Sequence, residues 1–175
     1  MLTTLVMTVI GPDRTGLVNS LAHTVADQGG NWLESRMCHL GGQFAGLIQV
    51  EIEDAQVDLL RRRLTELSES GLQVSVQDGG NLAARPQTLA MIDLVGQDRP
   101  GLLRAITGVL AQHHLNVEEL ESERTAAPQG GGTLFKANVT LSVPVEADLN
   151  AIGDDLEKIA TDLLVDISLV PAAGV

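Results

Sequence analysis

Two tetrads, Asp13-Arg14-Thr15-Gly16 and Asp98-Arg99-Pro100-Gly101, set an acid, a guanidinium and a glycine side by side twice, 85 residues apart. Each lies in a longer stretch, IGPDRTGLV at 10–18 and VGQDRPGLL at 95–103. In the second stretch, Gly96 lets the chain leave a strand through dihedrals that a side chain would forbid. Asp98 can accept hydrogen bonds from free N–H groups of a first helical turn. Pro100 suits that turn, where its missing N–H would have been unpaired anyway. Gly101 removes a side chain where another backbone or a ligand comes close. The expected product is a helix N-terminus with free amides and positive partial charge, able to hold a carboxylate or a phosphate. A single Gly/Asp/Pro cluster of this kind is more often a plain capped turn. Here the Arg and both glycines recur where a bare cap needs only the Asp, which favours a site. Neither G-x-G-x-x-G nor G-x-x-x-x-G-K-[ST] is present, so nucleotide binding is not indicated.

Other chemistry-bearing residues are weaker candidates. His23, His39, His113 and His114 make no metal-ligand pattern, and Cys38 and His39, adjacent on a strand, point to opposite faces. No metal site is expected. Glu119, Glu121 and Glu123 alternate along one strand and read as a solvated face. Arg61, Arg62 and Arg63 read as the solvent side of a helix. No nucleophile stands with a base, and no cofactor loop appears, so neither catalysis nor a cofactor is expected.

The elements that position the two turns repeat as a set. Setting Gly11 on Gly96 gives seven identities in the 21 positions 11–31, with Leu21 on Ile106, Val25 on Leu110 and Asn31 on Asn116. Each copy starts with an apolar run of strand length, 2–10 or 88–96, followed by the turn. A helix follows, with apolar residues every fourth position: Leu17, Leu21 and Val25, or Leu102, Ile106 and Leu110. Gly29-Gly30 and His113-His114 mark the helix ends. Two strands come next, 31–40 and 43–53 around Gly41-Gly42, a two-residue hairpin signal. Their counterparts are 116–126 and 133–143, around a longer connection expected to be mobile. A second helix carries Val57, Leu60, Leu64 and Leu67, or Leu149, Ile152, Leu156 and Ile159. A short strand, 72–76 or 164–170, closes each copy.

The order β-α-β-β-α-β, twice, predicts an α+β chain of two ferredoxin-like units, antiparallel sheets with helices on one face. DGGNLAARPQ, at 78–87, carries the linker. The expected domains are 1–80 and 88–175 with 81–87 between them, packed as an intramolecular pair.

Composition narrows the partners. With 44% apolar and 19% charged residues the chain is globular, not disordered. Its formal net charge is −12, with six Arg/Lys against ten Asp/Glu in 1–87 and five against thirteen in 88–175. Both halves repel phosphate backbones, and Trp32, Phe44 and Phe135 are too few for a base-stacking platform. Direct nucleic-acid binding is not expected. Nor is membrane binding, because MLTTLVMTVI lacks a basic flank and ends at Gly11-Pro12, and no basic amphipathic helix is seen. A lone Cys38 agrees with a reducing compartment, so a cytoplasmic location is expected.

The motifs IGPDRTGLVNSLA with Asn31, and VGQDRPGLLRAIT with Asn116, resemble the ACT domain. Two such units with little else resemble the glycine cleavage system transcriptional repressor family. The resemblance implies an amino-acid-responsive regulator, not an enzyme, acting through a protein partner such as a transcription factor. The alternative it implies is a free-standing regulatory subunit of an amino-acid metabolic enzyme. Its implied ligand is a small amino acid, glycine and serine among the candidates, and a homodimer is one assembly it allows. It places the ligand where the first turn faces a neighbouring unit, at Asp13, Arg14, Thr15, Gly16 and Asn31, and at Asp98, Arg99, Pro100, Gly101 and Asn116. The copies differ in Thr15 against Pro100 and in Trp32 against Val117, so the two sites need not be equivalent.

Overall fold

The computed structural model describes residues 1–79, 87–128 and 131–171. The expected linker, 81–87, lies outside them apart from the backbone of Gln87, as do residues 129–130 of the longer hairpin connection. The chain divides into two compact units, Met1–Leu82 and Ala83–Val175.

The first unit runs β1 (Leu2–Pro12), α1 (Leu17–Asp27), β2 (Asn31–Leu40), β3 (Gln43–Glu53), α2 (Val57–Glu66) and β4 (Gln73–Asp78). Its sheet has the order β2-β3-β1-β4 with every neighbouring pair antiparallel. Alternation sorts the strand residues. Leu5, Met7 and Val9 of β1 and Ile48, Val50 and Ile52 of β3 are buried, and they pack with Leu17, Leu21 and Val25 of α1 and Leu60 and Leu64 of α2. Each such side chain contributes about 1.5–3 kcal/mol by leaving water. Gly41 and Gly42 adopt φ of 60° and 77°, the left-handed pair that a tight hairpin between twisted strands requires.

The second unit repeats this as β5 (Gln87–Gln97), α3 (Leu102–Gln112), β6 (Asn116–Ala126), β7 (Thr133–Pro144), α4 (Leu149–Leu163) and β8 (Val165–Pro171), with sheet order β6-β7-β5-β8. Its core joins Ile92, Leu94, Val139 and Leu141 to Leu102, Ile106 and Leu110 of α3 and Ile152 and Leu156 of α4. Both units are thus α+β, ferredoxin-like βαββαβ sheets with paired helices.

The register decides what lies near each turn. β5 pairs antiparallel with β7, and β7 antiparallel with β6, so β5 and β6 run the same way. α3 carries the chain back along the sheet, and β6 therefore begins at the end where β5 began. Gly96 corrects one expectation. It sits inside β5 opposite Phe135 and Val165, and its φ is not in the left-handed region. A Cβ there would stand 2.1 Å from Val165 Cγ1, and one at Gly11 would stand 2.6 Å from the Gly71 carbonyl oxygen. These glycines serve the close approach of the last strand, not an exit from the first.

Candidate functional site

Each turn hangs from the strand end by a backbone bond to the neighbouring hairpin. The Asp13 N–H donates to the Gly42 carbonyl and the Asp98 N–H to the Thr133 carbonyl, both at 2.9 Å. The chain then reaches Gly16 (φ 94°) and Gly101 (φ 96°), the N-cap residues of α1 and α3. A Cβ on either would meet nothing within 4 Å, so each glycine answers to its left-handed backbone while the space before it stays open. Pro100 precedes the cap instead of entering the first helical turn.

The acids do not cap. Neither α1 nor α3 has a side-chain cap hydrogen bond. At α4, by contrast, Asp148 Oδ1 accepts from the N–H groups of Asn150 (2.9 Å) and Ala151 (3.3 Å). Asp98 is drawn sideways instead, its Oδ2 lying 2.6 Å from Arg124 Nε, while Asp13 Oδ2 lies 3.6 Å from His39 Nε2. The expectation that Asp98 occupies the first-turn amides fails because a charged partner on β6, two strands from β5, competes for the carboxylate. The helix-start amides consequently keep no side-chain acceptor, and the positive end of each helix dipole faces open space. Sequence reasoning missed His39 and Arg124. Their signal was present: they too are 85 residues apart, and they stand opposite Phe44 and Phe135 on the adjacent strands.

The arginines differ. Arg14 is exposed, whereas Nε and Nη2 of Arg99 are buried with no hydrogen-bond partner among the described residues. The asparagines do not join the turns of their own units. Asn116 pairs in register with Ser142, and Ser142 with Leu89, seven residues before Gly96 along β5. That is ~24 Å at about 3.4 Å per residue. The Asn116 Nδ2 group donates to Glu118 Oε1 at 2.7 Å. Asn31 stands in the same relation, opposite Glu51 and so level with Thr4. Within each unit the asparagine and the turn therefore stand toward opposite ends of the sheet. Thr15 and Pro100 are exposed, Trp32 packs against the first core, and Val117 is more open.

A groove of about 530 Å³ opens between α3 and α4, from Gly101 past Arg104, Ala105 and Gly108 to Asp155 and Lys158. Asp155 takes hydrogen bonds from Lys158 Nζ (2.8 Å) and lies 2.9 Å from His113 Nε2. Lys158 first, and His113 second, hold the Asp155 carboxyl below its ordinary value, and Asp155 holds the Lys158 ammonium above its own. Glu119, Glu121 and Glu123 are exposed along β6, as expected. Arg61 departs from the solvent-facing expectation: it donates to the Val76 carbonyl and to Asp78 Oδ1, both at 2.7 Å, and clamps α2 to β4. No group of three potential ligands that could hold a metal occurs among the described residues, and no described helix is long and apolar enough to cross a membrane.

Fold and turn together define a protein of two split-βαβ units, each opening on an uncapped, glycine-bracketed turn. Residues 3–77 and 90–160 each match the ACT domain family, and the chain belongs to it. It is 26% identical over 164 residues to the glycine cleavage system transcriptional repressor of Escherichia coli (strain K12), spanning 91% of this chain and 85% of that protein. A protein of Methanocaldococcus jannaschii is 36% identical over 75 residues, 41% of this chain and 83% of that one. The solved structure of an unknown protein from Galdieria sulphuraria superposes with a TM-score of 0.89 at 28% identity, over 99% of this chain and 100% of the other.

Proposed function

We propose that this chain is a regulatory protein that binds a small amino acid at the glycine turn and passes the signal to a protein partner, such as a transcription factor. The observation that carries the reading is the uncapped start of α1 and α3. An acid lies three residues before each cap glycine, yet it pairs elsewhere and leaves the amides to an outside carboxylate. Membership in the ACT family and the likeness to a transcriptional repressor support a regulatory role. The net charge of −12 supports a protein partner over direct contact with nucleic acid. The exposed free thiol of Cys38 fits a cytoplasmic location. The boundaries 1–80 and 88–175, joined by 81–87, belong to the same proposal.

A thermal-shift series over the twenty amino acids tests it. A true ligand at a hundred times its dissociation constant stabilises the chain by about 2.7 kcal/mol. If no amino acid raises the melting temperature, the turns are plain helix starts and the sensing role is wrong. A promoter fragment retarded by the pure protein alone at about 150 mM salt would overturn the indirect route, since non-specific phosphate attraction is weak there.

A further inference from the structure

The last helix and last strand of each unit are built alike but sealed differently. β4 and β8 each stand at the end of their sheet, so each has a row of backbone groups with no neighbouring strand among the described residues. In the first unit Arg61 covers that edge from α2: Nη1 donates to the Val76 carbonyl and Nη2 to Asp78 Oδ1, both at 2.7 Å. The matching helix residue in the second unit is Gly153, since Leu60 and Leu64 correspond to Ile152 and Leu156. The matching strand residue is Leu169, since Val76 pairs with Met7 and Leu169 with Ile92, and those partners are 85 residues apart.

Where Arg61 lies in the first unit, the second has a groove of about 540 Å³ between α4 and β8, lined by Gly153, Ile167 and Leu169. Nothing local asks for that glycine. Its φ is not left-handed, and a Cβ on it would meet no atom within 4 Å. A glycine inside a helix weakens it relative to ordinary residues, and its effect here is the space it leaves. The floor is apolar, because Ile167 and Leu169 pack against the second core as Val74 and Val76 do against the first. The charge differs too. Asp78 is matched by Pro171, and the acids of the groove, Asp154 and Glu157, come from the helix instead, with no cation among the described lining residues. The groove thus has an unsealed strand edge, an apolar floor and two carboxylates, and lacks the guanidinium that completes its counterpart.

We propose that this groove is the surface on which the protein partner docks, and that it takes an arginine carried on an extended segment that adds to β8. The first unit supplies the pattern of the occupant, a guanidinium held between the second helix and the last strand. Two carboxylates in a chain of net charge −12 select a cationic segment, and the open edge of β8 suits main-chain pairing. Arginine fits better than lysine because its planar fork reaches a carbonyl and a carboxylate at once, as Arg61 does. The inference rests on the reading above that the chain acts through a protein partner, and adds to it where that partner binds and by what chemistry.

The test follows the backbone amides of the full chain by NMR during titration with a blocked peptide, Thr-Val-Arg-Val-Thr, and with versions carrying citrulline or lysine in place of the arginine. The arginine peptide is expected to shift the amides of 166–170 and of α4 saturably. Citrulline, a neutral urea of nearly the same shape, weakens binding at least about tenfold, and lysine falls between. G153R, which places a guanidinium where the first unit has one, abolishes binding. G153A, the control for the change in the helix, binds within about threefold of wild type. Both variants melt at or above the wild-type temperature, because each removes a glycine from a helix. D154N/E157Q weakens the arginine peptide about three- to tenfold, and by less at high salt. An arginine peptide that moves no β8 or α4 amide, that binds G153R or D154N/E157Q as it binds wild type, or that is matched by its citrulline version overturns the proposal. So does a wild-type chain that sediments as a dimer while G153R stays monomeric, which would make the occupant a second copy. An amino acid that raises the melting temperature while no peptide binds would leave the sensing role standing without this surface. A peptide bound at β8 with no stabilising amino acid would do the reverse.

Discussion

The turn at Asp13–Gly16 and the turn at Asp98–Gly101 have the same cap geometry, the same open space before the glycine and the same tie to a hairpin carbonyl. They differ in what surrounds the acid and the arginine. Asp98 lies close to Arg124, and Nε and Nη2 of the half-buried Arg99 are shielded from solvent; Asp13 and His39 are farther apart and Arg14 is exposed. A repeated backbone can therefore preserve a shape while its side chains set two different electrostatic environments. The second helix pair teaches the same lesson. Arg63 and Glu66 pair on α2, and the positions matching them by apolar spacing, Asp155 and Lys158, pair on α4 with the charges reversed.

The comparison is broken most forcefully through what the units share. Gly96→Ala places a Cβ against Val165, and Gly11→Ala places one against the Gly71 carbonyl. Each is expected to cost on the order of 3 kcal/mol, at the upper end of overpacking, with a lowered urea midpoint. A cost below about 1 kcal/mol at either would show that the last strand moves aside freely.

Next in size is the cap. Gly16→Ala and Gly101→Ala meet no neighbour, so only the left-handed backbone resists, at about 1–2 kcal/mol and nearly equally in both units. A much larger effect at Gly101 alone would reveal a close neighbour that the open space does not contain.

A smaller effect separates the acids. Asp98→Asn breaks the 2.6 Å pair, and Asp13→Asn loosens the 3.6 Å one. Arg124 and His39 are largely exposed, so the first is worth at most about 1 kcal/mol and the second less, both fading with added salt. His39→Arg should bring the first unit closer to the second, and unchanged salt dependence in that variant would sink the idea that this strand position sets the difference.

The smallest expected effect is confined to the second helix pair and appears only with pH. Because the Asp155 carboxyl is held low, its contribution is complete above the ordinary carboxylate value and disappears as pH falls through the lowered one. Lys158 is held high, so its share is complete below the ordinary lysine value and is lost as pH rises past the raised one. Asp155→Asn should therefore be less stable than wild type near neutrality and converge with it in strong acid. Parallel urea curves at all pH values would argue that the pair is structurally idle.

Much of the site was legible because repetition made it so. The strand-turn-helix order and the apolar faces of all four helices follow from spacing and residue type, whereas the special dihedrals expected at Gly96 are found at Gly16 and Gly101, and no close neighbour meets Gly101. The role of Gly96 was misread, since a glycine in a strand looks alike whether it frees a dihedral or admits a neighbouring strand. Asp98 was read as a cap because local chemistry favours that choice, and a partner 26 residues away outcompeted it. Arg61 looked solvent-facing within its own helix, yet β4 brings two acceptors to it.

By itself the sequence determined the duplication, the order of elements, the α+β class and the two glycine turns, because each rests on periodicity and on backbone freedom within a few residues. Only the tertiary structure decided that Asn31 and Asn116 stand at the far end of the sheet from the turns of their own units, since that follows from the helix crossover and the antiparallel register. Only it paired Asp98 with Arg124, left the helix amides uncapped and shielded Nε and Nη2 of Arg99. Those outcomes depend on which distant groups folding brings within about 3 Å of one another, and short-range hydrogen-bond geometry is set by that proximity, not by spacing along the chain.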